Sequence, residues 1–195
     1  MKKSQVFKGV KMKNKKTAII IFGSPKKNGH TAKLLLKFLK ELKNYEFTII
    51  DSYKENIHPC IDCGLCRLEE ICRYSDLDNL DHLLNTADLL IVATPVYNLS
   101  FPAPLKSIFD RMQRYFSARF FQKKIPPIKK EKKAVLLLTS GSKDNNGKNF
   151  IETQLKMIFT IINAKLIHTI FWSDTDSNTN IEDLSTQIIN TTKNL

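Results

Sequence analysis

Three apolar runs constrain this chain of 195 residues more than anything else in it. Thr17-Ala18-Ile19-Ile20-Ile21, Asp88-Leu89-Leu90-Ile91-Val92-Ala93-Thr94 and Ala134-Val135-Leu136-Leu137-Leu138 carry no alternating polar residues. Such runs suit strands covered on both faces, and strands of that kind belong to parallel sheets. Glu46–Asp51 and Lys165–Trp172 read as two further strands. Between the strands lie stretches of helical apolar spacing: Ala32–Leu39, Leu77–Leu84, Pro102–Met112, Phe150–Ile162 and Ile181–Ile189. Asp76 or Asp78 is placed to cap the second of these, and proline is tolerated in the first turn of the third. Strands alternating with helices predict an α/β fold, a doubly wound five-stranded parallel sheet of order 2-1-3-4-5 with helices on both faces. Ligands of such sheets bind beyond the carboxyl ends of the strands. The polar loops Ser24–Thr31, Pro95–Asn98 and Thr139–Ser142 all end there, so one pocket is expected to collect all three.

The first loop, Gly23-Ser24-Pro25-Lys26-Lys27-Asn28-Gly29-His30-Thr31, turns a buried strand directly into a helix. Free backbone N–H groups and the positive end of the helix dipole then share one spot, which favours an anion. Ser24, Asn28 and Thr31 add side-chain donors, Lys26 or Lys27 adds charge, and Gly23 and Gly29 allow close approach. The spacing is not that of a Walker loop, because His30 rather than Lys follows Gly29. Nor is it a dinucleotide fingerprint, which needs a third glycine. A plain turn before a helix would use similar residues.

Every cysteine of the chain lies in the long connection Ser52–Asp76, as Cys60, Cys63, Cys66 and Cys72. Two consecutive Cys-x2-Cys steps suit three corners of a cubane cluster, with Cys72 as a more distant fourth ligand. Close thiolates also suit zinc, and free thiols or a reversible disulfide remain open. A structural disulfide is disfavoured in the reducing compartment expected here.

The net charge of +12 is concentrated in the first 16 residues and in 123–133. Residues 1–15 read as a basic arm and 16–195 as one domain carrying the cysteine-rich insertion 52–76. The arm has no apolar core after its lysines, so no secretory signal is expected. No apolar run reaches the ~20 residues of a membrane span, and a cytoplasmic protein is expected. No nucleic-acid-binding signature accompanies the arm, so nucleic acid is not an expected partner. The positive field suits anionic small molecules.

The hydroxyl-rich first loop, with Thr94-Pro95-Val96-Tyr97, Pro102-Ala103-Pro104-Leu105-Lys106, Asp110-Arg111 and Thr139-Ser140-Gly141, resembles the flavodoxin-like NAD(P)H-dependent FMN reductases. The cysteine pattern is similar to that of iron–sulfur flavoproteins, a branch in which a [4Fe–4S] cluster exchanges electrons with FMN. It departs from bacterial ferredoxins in its longer last spacing and in Arg73 after Cys72. The resemblance implies that Ser24, Lys26, Asn28, Gly29, His30 and Thr31 hold the FMN phosphate. It implies that Pro95, Val96, Tyr97 and Asn98 line the ring, with Ser140 and Gly141 near its pyrimidine edge, and that Cys60, Cys63, Cys66 and Cys72 are the metal ligands. No catalytic side chain is expected, since the flavin carries the chemistry. NADPH or NADH would supply the hydride, with Arg114–Arg119 and Lys123–Lys133 offering charge to its phosphates. The acceptor would be a quinone, a nitro or azo compound, free flavin or a protein. The alternative is an electron-transfer protein with no small-molecule substrate, and a homodimer or tetramer is expected.

Overall fold

The computed structural model describes residues 15–195; apart from Lys15, the basic arm lies outside them. The five strands are β1 (Lys16–Phe22), β2 (Tyr45–Asp51), β3 (Leu89–Pro95), β4 (Lys132–Thr139) and β5 (Ala164–Trp172). They form one sheet of order β2-β1-β3-β4-β5 with every pairing parallel. This is the order read from the sequence; the central strands β1, β3 and β4 are mostly buried, while the edge strands β2 and β5 are partly exposed. In β3 six consecutive residues, Leu89 to Thr94, are buried.

The two faces divide the strand side chains by alternation. Ile19, Ile21, Leu90, Val92, Leu136 and Leu138 pack with helices α3 (Asp78–Thr86), α4 (Ala103–Asp110), α5 (Gln113–Phe120) and α6 (Asn146–Ile161). Ile20, Phe22, Leu89, Ile91, Val135 and Leu137 pack with α1 (His30–Glu41) and α7 (Ser185–Lys193). Helix α1 buries Leu34, Leu35 and Phe38 on one stripe and turns its lysines outward. Burying each such side chain contributes roughly 1.5–3 kcal/mol. No helix of the described residues is long and apolar enough to cross a membrane.

The helices differ from the sequence reading in three places. Beyond the stretch Pro102–Met112, which forms α4, a further helix, α5, continues to Phe120. That helix is held by tertiary contact rather than by its own pattern: Tyr115, Ser117 and Ala118 are buried, and the Tyr115 hydroxyl donates to Asp81. The connection before α3 contains one short helical turn, α2 (Leu65–Leu68). Neither Asp76 nor Asp78 caps α3, whose N-cap is Leu77. Asp76 is instead drawn to His58 and Arg111.

Candidate functional site

The parallel order brings the three polar loops to one pocket of about 170 Å³. Of the residues implicated by the sequence, Ser24, Lys26, Gly29, His30, Thr31, Pro95, Val96, Tyr97, Ser140 and Gly141 border it. Asn28 and Asn98 are exposed and do not border it. Thr139, Thr175 and Asp176 complete the lining.

At the first loop, no side chain caps α1, so its first-turn N–H groups are left for a ligand or water. The Ser24 hydroxyl, on a residue only 5% exposed, accepts from the Lys26 amide at 3.3 Å and keeps its own proton to donate. The two lysines are not equivalent. Lys27 Nζ is spent on Asp51 at 2.6 Å and on the Ser24 carbonyl at 3.1 Å. Lys26 alone of the pair borders the pocket. The Thr31 and Thr139 hydroxyls share a buried hydrogen bond of 2.7 Å that ties the first loop to the end of β4. His30 meets the Trp172 ring edge-on at 5.0 Å. Gly23 lets β1 end against α4, since a Cβ there would lie 2.5 Å from Leu105 Cδ2.

The second loop is a tight hairpin turn. Tyr97 and Ser100 exchange backbone bonds of 2.9 and 2.8 Å around Asn98 and Leu99, which take φ values of +49° and +61°. Two residues at positive φ are the mark of a type I′ turn, and a branched leucine there is unusual. The turn holds Tyr97 at the pocket with 44% of its surface exposed. Tyr53 stands near it, its phenol pKa raised by burial and then by Tyr97.

The residues missed by sequence reasoning come from the loop after β5. Thr175 and Asp174 donate backbone bonds of 3.0 Å to the Ser140 and Ser142 carbonyls, and the buried Thr175 hydroxyl adds one to Ser140. The loop thereby runs alongside the one after β4 and delivers Asp176 to Gly141, where a Cβ would lie 2.3 Å from its carboxylate. The available signal was the run of polar residues directly after the last strand, at the same sheet edge as the others.

The four cysteines border a different cavity, with Arg73, Tyr74, Arg111, Gln113 and Arg114. Cys60 and Cys63 are exposed, while Cys66 and Cys72 are half-buried. The Cys66 thiol approaches the Ser117 hydroxyl at 3.4 Å, and Gln122 donates to the Cys66 carbonyl at 3.0 Å. As placed, the thiols surround the cavity without converging; among the described residues no three of His, Cys, Asp or Glu form a ready metal site. The donor set itself fits a soft metal or an iron–sulfur cluster, being four thiols on one cavity.

Both ends of this cysteine segment are fastened by one side chain. Arg111, 4% exposed, donates to the carbonyls of His58 at 3.0 Å and Tyr74 at 2.8 Å, and pairs with Asp76 at 2.8 Å. The His58 and Tyr74 rings stack at 4.4 Å. Asp76 also accepts from the His58 amide and ring, and these bonds with Arg111 hold its carboxyl below the usual range although burial pushes the other way.

The basic residues expected to serve nicotinamide phosphates are largely committed elsewhere. Arg114 pairs with Asp81 and reaches the Glu70 carbonyl at 3.2 Å. Lys124 pairs with Glu70, and Lys130 with Asp88 at 2.7 Å. Lys132 is buried against backbone carbonyls.

Residues 17–178 match the model of the family described as NADPH-dependent FMN reductase. An iron-sulfur flavoprotein of Archaeoglobus fulgidus is 38% identical over 101 residues, covering 50% of this chain and 46% of that protein. An FMN-dependent NADH:quinone oxidoreductase of Beijerinckia indica is 36% identical over 111 residues, 53% of each chain. The chain thus spans about half the length of these relatives. Among solved structures, an NAD(P)H:quinone oxidoreductase from Methanothermobacter marburgensis superposes with a TM-score of 0.74 over 92% of this chain and 98% of its own, at 18% identity. An FMN-dependent NADH-azoreductase of Bacillus anthracis in complex with FMN gives 0.64 over 91% and 96%, at 14% identity. The last two likenesses speak for the fold, and the family match spans most of the sheet and all three loops: the chain belongs to the NADPH-dependent FMN reductase family.

Proposed function

We propose that the chain binds FMN across the carboxyl ends of β1, β3 and β4 and acts as an NAD(P)H-dependent oxidoreductase. Its acceptor would be a quinone, a nitro or azo compound, free flavin or a protein. The observation that carries this reading is the meeting of the uncapped α1 terminus, the Tyr97 turn and Ser140–Gly141 in one pocket. FMN, when bound, supplies the hydride and electron chemistry. The chain's residues bind and orient it. Ser24, Lys26, Thr31 and the first-turn amides hold the phosphate, with Gly29 and His30 at the same end. Pro95, Val96 and Tyr97 wall the ring, and Ser140 and Gly141 meet its polar edge. Tyr97, half exposed, leaves a face open on which a nicotinamide can stack. No protein acid or base is required.

Titration of flavin-free protein with FMN, followed by anaerobic NADPH or NADH oxidation with added quinone, tests the proposal. Tight binding and rapid oxidation are expected. A protein that stays colourless and declines FMN refutes it.

A second reading is favoured by the four thiols around one cavity and by relatives named iron-sulfur flavoprotein. In it, Cys60, Cys63, Cys66 and Cys72 hold a [4Fe–4S] cluster and the chain relays electrons between proteins. Acid-labile sulfide with negligible NAD(P)H turnover in the absence of a protein donor would select it over the first. In either reading we infer a cytoplasmic homodimer or tetramer, supported by exposed apolar side chains such as Phe120, Phe121 and Ile125. Light scattering on the eluted protein tests that assembly.

A further inference from the structure

We propose that Arg111 and Arg114 turn the cysteine cavity into a site for an anionic cluster, positioning the thiol loop and donating Nε–H bonds to the cluster's sulfurs. The inference rests on the iron–sulfur reading above and assigns to it two residues outside the ligand set.

Both side chains border the cavity that all four cysteines border. Both are well buried, with side-chain exposures of 3% and 17%. Each of their terminal nitrogens has a partner. Those of Arg111 hold His58, Tyr74 and Asp76, and those of Arg114 hold Asp81 and Glu70. Between them they fasten the cysteine segment at three backbone carbonyls: 58, 70 and 74. Yet the Nε of each is buried without a hydrogen-bond partner among the described residues. A guanidinium N–H removed from water and left unpaired is costly, and such orphans are rare in folded proteins. Two of them, three residues apart, belong to side chains that line the one cavity the four thiols share, and the cluster is the acceptor assigned to them here.

The charge arrangement agrees. Asp76 and Asp81, which pair with the arginines, do not border the cavity, so the cavity meets the cationic member of each pair. Arg73 adds another cation to its wall. The one carboxylate on the wall, Asp62, is exposed and paired with Arg67 at 3.4 Å. An occupant with negatively polarised sulfur satisfies both donors. A neutral pair of thiols or a disulfide does so poorly, because thiol and disulfide sulfur are weak acceptors. Donors to cluster sulfur favour the reduced, more negative form and raise the reduction potential.

The test uses the full chain, reconstituted anaerobically with ferrous iron and sulfide, as wild type, Arg114→Lys and Arg111→Lys. Iron and sulfide per chain, thermal stability, and the cluster's midpoint potential against redox dyes are measured. Each lysine variant keeps a positive charge and removes Nε–H. The expected result is iron content near that of wild type for Arg114→Lys with a midpoint shifted to lower potential, and a shift of the same sign for Arg111→Lys. If Arg111→Lys does not fold, Arg114→Lys decides alone. A purely structural role would lower stability or iron content and leave the midpoint where it was, which overturns the inference while the iron–sulfur reading stands. Wild type that takes up no iron and sulfide overturns both.

Discussion

The pocket at the carboxyl edge of the sheet and the cysteine cavity are built by different means. The first is assembled from the ends of β1, β3 and β4, so once the strand order is set its loops have nowhere else to go. Its donors are largely backbone amides and short hydroxyls, and its contacts run along the sheet edge. The second hangs on a 26-residue connection between β2 and α3, from Ser52 to Leu77. It is shaped by long side chains reaching back from α5 and from the chain just after α4 and α5: Arg114, Arg111 and Gln122. One site is a property of topology, the other of a few buried ion pairs. A substitution in one should leave the other intact, and that independence can be tested.

The largest effect is expected at the sheet edge. Replacing Ser24 by Ala together with Thr31 by Val should weaken FMN binding by about 1–3 kcal/mol per lost buried bond, or roughly fivefold to a hundredfold each. Unchanged affinity in a titration would remove these hydroxyls from the phosphate site. Next, Arg111→Met should free both ends of the cysteine segment, at roughly 1.5–3 kcal/mol per charged hydrogen bond lost. Trypsin should then cut between residues 58 and 74 faster than in wild type while FMN affinity holds; joint loss would show that the two regions are coupled. Cys63→Ala should remove iron and keep the flavin spectrum, and flavin leaving with the iron would make the loop part of the FMN pocket.

A control away from both sites is Lys132, 2% exposed, whose pKa burial pulls down from 10.5 to about 8. Between those values the unfolded chain binds more protons than the folded one, so stability should rise with pH across that window. Lys132→Met should flatten the rise in denaturant midpoints. The smallest effect is expected from Asp88→Asn at the amino edge. The Lys130 contact and the Thr17 amide lower the Asp88 pKa, so its contribution is present near neutrality and lost as pH falls through the folded pKa. A half-exposed pair of this kind contributes about 1 kcal/mol or less, and the variant should lose part of the acid dependence below pH ~4.

The same contrast explains what the sequence disclosed. Strand order and the meeting of the three loops followed from apolar runs and turn chemistry, which act locally, while the ten residues that border the pocket were assigned through the family resemblance. Asn28 was named as a side-chain donor and Asn98 through the resemblance, but the Asn98–Leu99 turn and the exposed outer loop leave them off the pocket wall. Asp176 was missed because only pairing between the loops after β4 and β5 brings it in. Helix α5 was half missed for a similar reason. Its buried face includes Tyr115 and Ser117, which are polar by type and buried by the company of Asp81 and Cys66. Lys26 and Lys27 could not be told apart until Asp51 was seen to hold one of them.

His58 and Tyr74 stand ring against ring, so the segment between them leaves the body of the fold and returns to nearly the same place. Excising it and joining its two ends with a short turn would disturb neither a strand nor the threonine pair that ties the first loop to β4. The thiols thus sit on a unit that an engineer can graft onto a related sheet only together with Arg111, Arg114, Ser117 and Gln122, the residues outside it that hold it.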